Sequence, residues 1–449
     1  MKKVFIISLG CPKNSVDSEH LAGLLARNGL CLVKDPDEAE LALVNTCGFL
    51  QAAVEEGIQV ILDLERRKAS GQLKEIAVVG CMLNRYGDAL KAEFPTVDYW
   101  ARSEDWGTLL RQLGRDSAEE AGCCRHILTA TPWTRYLKIS EGCNSHCAYC
   151  AIPGIRGRLR SQPVQKIVEE ACRLTEEGAR ELCLVGQELS IYGEDLFGKP
   201  SLPLLLDELE KNLPEQVWLR LFYLHPSLVD HAFLEKVAAS RRIVPWLDIP
   251  IQHIDDAILR RMNRPPVEQH IRDLFAYGRR LNPDFAFRTT LMVGFPGETR
   301  AQFDKLLDFV EETGFDRLGA FTYSAEEGTP AASFPDQIPE EEKIERYNEL
   351  MELQNRMSAS RQSQFVGRRL DVLIERAEEQ EDGSVDFIGR SYRDAPEIDG
   401  EVIVETTEDL PLGTMISVDV TDSTDYDLIG QPASRGAALD QEREKGESR

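Results

Sequence analysis

Residues 139–153 read ISEGCNSHCAYCAIP and place Cys143, Cys147 and Cys150 in one loop, spaced C-x-x-x-C-x-x-C. Three thiolates so close suit a single metal centre, but a structural zinc or a simple iron–sulfur site takes four protein ligands. No fourth cysteine follows nearby, and no paired histidines do. His146 lies inside the loop and could serve zinc, yet a zinc ribbon needs a second matched pair downstream, which the sequence lacks. The better reading is a cubane held by three cysteines, with one iron left open to a ligand from outside the chain.

Working outward, RYLKIS just before the loop reads as a strand. ELCLVG, VWLRLFYL, VPWLDIPI, DFAFRTTLMVGF and RLGAFTYS follow as further strands, separated by helical stretches such as ETRAQFDKLLDFVEETG. Six such units over residues 134–365, closed by a long helix at 338–365, predict a complete or partial β/α barrel. The cysteine loop then sits at the mouth formed by the strand C-termini. Upstream, residues 1–115 also alternate: KVFIISLG, LALVNTC and EIAVVGC are strands between helices, which predicts an open parallel α/β sheet. Cys11, Cys47 and Cys81 fall at or just past the ends of these strands, where such sheets bind ligands. One strand-end cysteine is an ordinary small hydrophobe; three on one rim favour a shared metal. Cys31, Cys172 and Cys183 lie in apolar segments and are assigned to packing. Cys123 and Cys124, in the polar connector, receive no role. Short strands with turn residues over 367–434 predict a small antiparallel β-barrel, and 435–449 reads as a disordered tail.

The 449-residue chain carries a net charge of −25, which argues against a nucleic acid as the default partner. Its opening MKKVFIISLG reads as a first strand rather than a leader. No apolar run approaches the roughly 20 residues that span a bilayer. Eleven cysteines without export signals point to the reducing cytosol, hence a cytoplasmic protein using metal or reactive thiols. Between Gly367 and Gly430 there are five arginines, no lysine and eighteen acidic residues, a net charge of −13. That segment should repel phosphate backbones and attract a basic protein.

GCNSHCAYC, with Tyr149 before the third cysteine, resembles the radical S-adenosylmethionine (SAM) enzymes. The resemblance implies that SAM binds the open iron of a 4Fe-4S cluster. An electron from the cluster then cleaves the sulfonium to a 5′-deoxyadenosyl radical, which can take hydrogen from an unactivated carbon. With the upstream trio and the terminal barrel, which is similar to the TRAM domain, the whole chain resembles the methylthiotransferases. That implies a second 4Fe-4S cluster on Cys11, Cys47 and Cys81, carrying the sulfur to be transferred. The stretches SLGCPKNSVDSE, WLDIPIQH, RTTLMVGFPGET, YSAEEGTPAA and GRSYRDAPEIDGEV resemble the branch that modifies an aspartate of the basic small-subunit ribosomal protein S-twelve. An electron-donor protein and a sulfur donor are implied partners. The runner-up is the tRNA-modifying branch, which differs after the first cysteine, where this chain has Pro12 and Lys13. A third reading is a metal-stabilised binding module without turnover. The chain departs from the branch pattern at Gln162, and at Glu188 and Leu189 after Gln187.

Tyr149, Gln187, Arg220, Gln252, Arg288 and Glu298 are candidates to bind SAM or the substrate aspartate, since most lie at predicted strand ends. Arg220 or Arg288 could grip a carboxylate bidentately. His253 is expected to hydrogen-bond at the rim. The arginines of RGRLR (Arg156, Arg158, Arg160) could meet a carboxylate, although a solvated loop is the default for such a run.

Overall fold

The computed structural model describes residues 1–115, 125–129, 131–380 and 384–433. Cys123, Cys124 and the 435–449 tail lie outside the described residues. The first sheet contains β1 (Lys3–Ser8), β2 (Cys31–Leu32), β3 (Leu41–Thr46), β4 (Glu75–Gly80) and β5 (Tyr99–Arg102). All are parallel, in the order β2-β1-β3-β4-β5. The three strands that end in cysteine are therefore adjacent. β2 and β5 were not expected, and Cys31 is half-buried on that edge strand.

The second sheet is six-stranded and parallel, with order β13-β12-β11-β10-β9-β6. Its strands are β6 (Thr134–Lys138), β9 (Glu181–Val185), β10 (Trp218–Leu221), β11 (Ile243–Asp248), β12 (Ala286–Val293) and β13 (Arg317–Thr322). A two-stranded ribbon, β7 (Ser140–Glu141) with β8 (Arg160–Ser161), clasps the base of the cysteine loop. The sheet stays open, a partial barrel with the predicted strands in place. Alternation sorts its faces. Leu182, Leu184, Leu219, Leu221 and Phe287 pack beneath the surrounding helices, whereas Cys183, Phe222, Val244, Trp246 and Ala286 point the other way.

The third unit is a closed five-stranded barrel: β14 (Arg369–Glu379), β15 (Val385–Ser391), β16 (Val402–Glu405), β17 (Met415–Ser423) and β18 (Leu428–Pro432). It is not purely antiparallel, because β16 and β18 run parallel. The segment between β15 and β16 lies against the helix-free face of the central sheet, with Ala395 and Tyr392 among Cys183, Phe222 and Trp246. Buried ion pairs fasten it. Arg390 reaches Glu181 at 2.6 Å, Arg393 reaches Asp316 at 3.2 Å, and Arg317 pairs with Asp394. Among the described residues no helix is long and apolar enough to cross a membrane.

Glu181 shows what these pairs contribute. Burial alone would raise its carboxyl, but Arg220 and Arg390 win and hold it near 2, below the usual 4.5. A depressed carboxylate stabilises the fold above its unfolded value and loses that contribution as pH falls toward the folded one. Docking of the C-terminal barrel should therefore weaken between about pH 4.5 and 2. The linkage is worth on the order of 3 kcal/mol, readable in denaturant midpoints across that window. Glu181→Gln leaves the buried Arg220 guanidinium without a carboxylate and Arg390 with Glu375 alone, and should cost about 3–5 kcal/mol at pH 7; an unchanged midpoint would refute this account of the interface.

Candidate active site

Cys11 precedes the helix Pro12–Arg27, Cys47 follows β3, and Cys81 opens the helix Cys81–Tyr86 after β4. Asn14 draws the three loops together. Its Nδ2 donates to the carbonyls of Leu9 and Thr46, and its Oδ1 faces the Cys81 thiol at 3.8 Å. Gly10 is at φ +94°, where a Cβ would lie 2.7 Å from that of Cys47, so only glycine lets the first two loops approach this closely. Burial pushes the Cys81 thiol up to about 11, against the pull of Arg156.

The second trio is shaped the same way. Gly142 at φ +75° packs where a Cβ would meet the Arg158 carbonyl at 2.1 Å, folding the loop back on the ribbon. Burial raises the Cys150 thiol to about 12, so loading either trio releases protons. Cys147 and Cys150 line a cleft of about 380 Å³ with His146, Arg85 and Glu327, a size that suits a small ligand. Three thiolates on one tetrahedral zinc would lie about 3.8 Å apart at ordinary bond lengths. Among the described residues the one metal-sized group is Asp17, Glu104 and Glu141, with no cysteine in it. The donor chemistry, three soft sulfurs per set at wider spacing, fits an iron–sulfur cubane better than one zinc ion.

Arg156 ties the two sets together. It ends the short helix Ile152–Arg156, six residues beyond Cys150, and is buried. Its Nε donates to Cys81 Sγ at 3.0 Å and its Nη2 to Asn14 Oδ1 at 2.6 Å. Nη1 meets Asp17 at 3.1 Å and Glu141 at 2.9 Å. Lys138 on β6 joins the same two carboxylates. Burial works to raise Glu141, yet Lys138 and Arg156 hold it near 2. A second tie runs from Glu326 to Arg85, which also donates to the carbonyls of Gly48 and Phe49 beside Cys47.

The predicted ligand-binding residues divide. Gln187 donates to Glu141 and keeps a buried Oε1 without a partner among the described residues. Gln252, at φ +67°, likewise has an unpartnered buried Oε1. Tyr149 is half-buried, with Arg264 3.4 Å from its hydroxyl. Arg220 does not reach the mouth. It is fully buried, bonded to Glu181 at 2.6 Å and to the Tyr392 carbonyl at 2.8 Å, because the C-terminal barrel occupies that face. Arg288 is held by Asp248 at 2.9 Å and Asp399 at 3.3 Å. Glu298 is buried. Its Oε2 accepts from the amides of Gly294 and Phe295 while Oε1 pairs with Arg346, so it shapes the GFPGE turn. His253 is buried rather than at the rim, and burial lowers it to about 3. Gln162 bonds the Lys138 carbonyl, and Glu188 accepts from Ser145 at 2.9 Å beside Cys143. The sequence reading missed Asn14 and Arg264. Arg264 lies 3.9 Å from Cys147 Sγ and donates to the Pro250 carbonyl at 3.0 Å.

A parallel partial barrel with a three-cysteine loop after its first strand defines a radical SAM enzyme, and residues 137–310 match the radical SAM superfamily. Residues 3–102 match the uncharacterized protein family UPF0004 and residues 366–432 the TRAM domain. A protein named ribosomal protein uS12 methylthiotransferase RimO, from Geobacter sulfurreducens, is 41% identical over 443 residues, spanning 96% of this chain and 98% of its own. Its namesake from Anaeromyxobacter is 42% identical over 444 residues, with 96% and 94% covered. The chain belongs to the RimO family of radical SAM methylthiotransferases. Membership carries with it a 4Fe-4S cluster and SAM. Among solved structures, the radical SAM methyltransferase TsrM from Kitasatospora setae aligns with a TM-score of 0.55 over 85% of this chain and 79% of its own. At 13% identity that likeness speaks for the fold alone.

Arg156→Leu leaves Asp17 and Glu141 buried with Lys138 as their one shared cation, and should lower unfolding stability by about 3–5 kcal/mol. Arg156→Lys should recover only part, because a single ammonium cannot serve four acceptors in a fork. Anaerobic denaturant titrations of the three proteins measure this directly.

Proposed function

We propose that the protein converts a β-carbon C–H of an aspartate in ribosomal protein uS12 to C–S–CH3, using two SAM and a sulfur donor. The carrying observation is the Arg156 bridge, which binds the first thiol set directly from a helix that follows the second. Two sulfur-rich sites fixed this close are what a C–H to C–S conversion needs: one to activate the carbon, one to deliver sulfur. Cys143, Cys147 and Cys150 hold the radical cluster, and Cys11, Cys47 and Cys81 hold a second 4Fe-4S cluster. When bound, the clusters supply the electron that opens SAM and a seat for the sulfur to be transferred. Arg264 offsets negative charge at the Cys147 side, and the Oε1 atoms of Gln187 and Gln252, without partners among the described residues, would be free to accept hydrogen bonds from SAM. The domains are 1–115, 134–365 and 367–434, acting in the cytoplasm with an electron-donor protein.

The C-terminal barrel supports a protein substrate over tRNA. Each of its five arginines is already paired with a carboxylate: Arg368 with Asp284, Arg369 with Asp419, Arg376 with Glu401, Arg390 with Glu181 and Arg393 with Asp316. Exposed Asp371, Glu379, Glu405, Glu408 and Asp409 remain. Such a surface offers RNA no free cation and steers a basic protein inward.

Anaerobically reconstituted protein should carry about eight irons per chain, as two cubanes require. Cys147→Ala should abolish reductive SAM cleavage. Cys47→Ala should retain cleavage while losing methylthio transfer to uS12, scored by the mass of the product. Loss of cleavage in both would contradict separate duties for the two sets, and product on tRNA alone would overturn the choice of substrate.

A further inference from the structure

Lys13 crosses from the first domain to the mouth of the central sheet. Its Nζ lies 3.4 Å from the carbonyl oxygen of Gly186, just past β9, and 4.2 Å from the ring centroid of Tyr223, just past β10. It is half-buried, so a ligand can still reach it. Several other cations of the interface are committed: Arg156 and Lys138 to Asp17 and Glu141, Arg288 to Asp248 and Asp399, and Arg264 to a carbonyl and the Tyr149 hydroxyl. Among the described residues, no ion pair is formed by Lys13. Its contacts are one long hydrogen bond and a ring face. A half-desolvated ammonium with donors to spare is a ready seat for an anion.

The platform beneath it is strained. Tyr223 adopts φ +56°, a costly conformation for a bulky residue. It is held there by the Leu189 amide donating to its carbonyl at 3.1 Å and by its own amide donating to Asp248 at 3.2 Å. The ring is thereby turned under the Lys13 ammonium. The position is also the right one: Lys13 is two residues from Cys11, while Gly186 adjoins Gln187, whose partner Glu141 begins the turn into Cys143.

We propose that Lys13, seated on Tyr223, is the residue that docks the side-chain carboxylate of the substrate aspartate and thereby sets the neighbouring β-carbon between the two thiol sets. The proposal rests on the protein-substrate reading above and gives it a specificity determinant. The carboxylate of SAM has the same chemistry, so the test must separate the two sources.

Reconstituted holoenzyme would be assayed for binding of purified uS12 and for kcat/KM of transfer, with uS12 as it stands and with its target aspartate changed to asparagine. The parent enzyme should bind and turn over the aspartate form preferentially. Lys13→Gln should weaken binding of the aspartate form by about 10- to 100-fold, the usual effect of losing one charged hydrogen bond, and collapse the preference over asparagine. Lys13→Arg should retain most of that preference. Lys13→Gln with the preference intact would overturn the proposal, as would a rise confined to the KM for SAM, which would assign the carboxylate to the cosubstrate. If Lys13→Gln fails to assemble its clusters, the parent enzyme alone decides: equal binding of the two uS12 forms would refute carboxylate docking. Failure of the underlying reading looks different, since the parent would then neither bind nor modify uS12 at all.

Discussion

A single buried guanidinium constrains the arrangement on which the rest of this protein depends. Arg156 binds a thiol of one cysteine set from the loop that carries the other, and it does so only because Asp17 and Glu141 supply the compensating charge. Burying such groups brings little net stability, since desolvation consumes most of the Coulombic gain. It does give position. Four fixed partners leave the guanidinium one placement, so the two domains meet in one register. Removing either side leaves uncompensated charge in a water-poor interface, which makes misaligned docking expensive.

The same logic governs the other end of the molecule. The C-terminal barrel inserts its β15–β16 connection against the helix-free face of the central sheet, and carboxylates there take up the arginines of the sheet. Arg288 and Arg220 are consequently held in ion pairs within the fold. With three of its arginines spent on the central domain and two paired within the barrel, the barrel presents mainly acid to solvent.

Much of this was legible in the sequence. Cys11, Cys47 and Cys81 could be assigned to one rim because strand periodicity fixes which end of a parallel sheet each follows, and the six central strands carried equally clear signals. β2 and the β7–β8 ribbon were not visible, since two residues have no period to read. Arg156 looked like one more solvated charge in RGRLR; its partners lie from 15 to 142 positions away, and no local pattern encodes them. Glu298 and Arg220 illustrate the converse. Being at a strand end or turn suggests ligand contact, but tertiary neighbours claim both Glu298 oxygens and the Nε and Nη1 of Arg220.

The central claim is that two clusters sit at a fixed, short separation across the Arg156 interface. Electron paramagnetic resonance of the doubly reduced protein tests it most directly. The account predicts spectra broadened by dipolar coupling between two cluster spins, a coupling that vanishes when Cys47→Ala empties one set. A spectrum equal to the sum of two independent clusters, or the signal of one cluster alone, would contradict it.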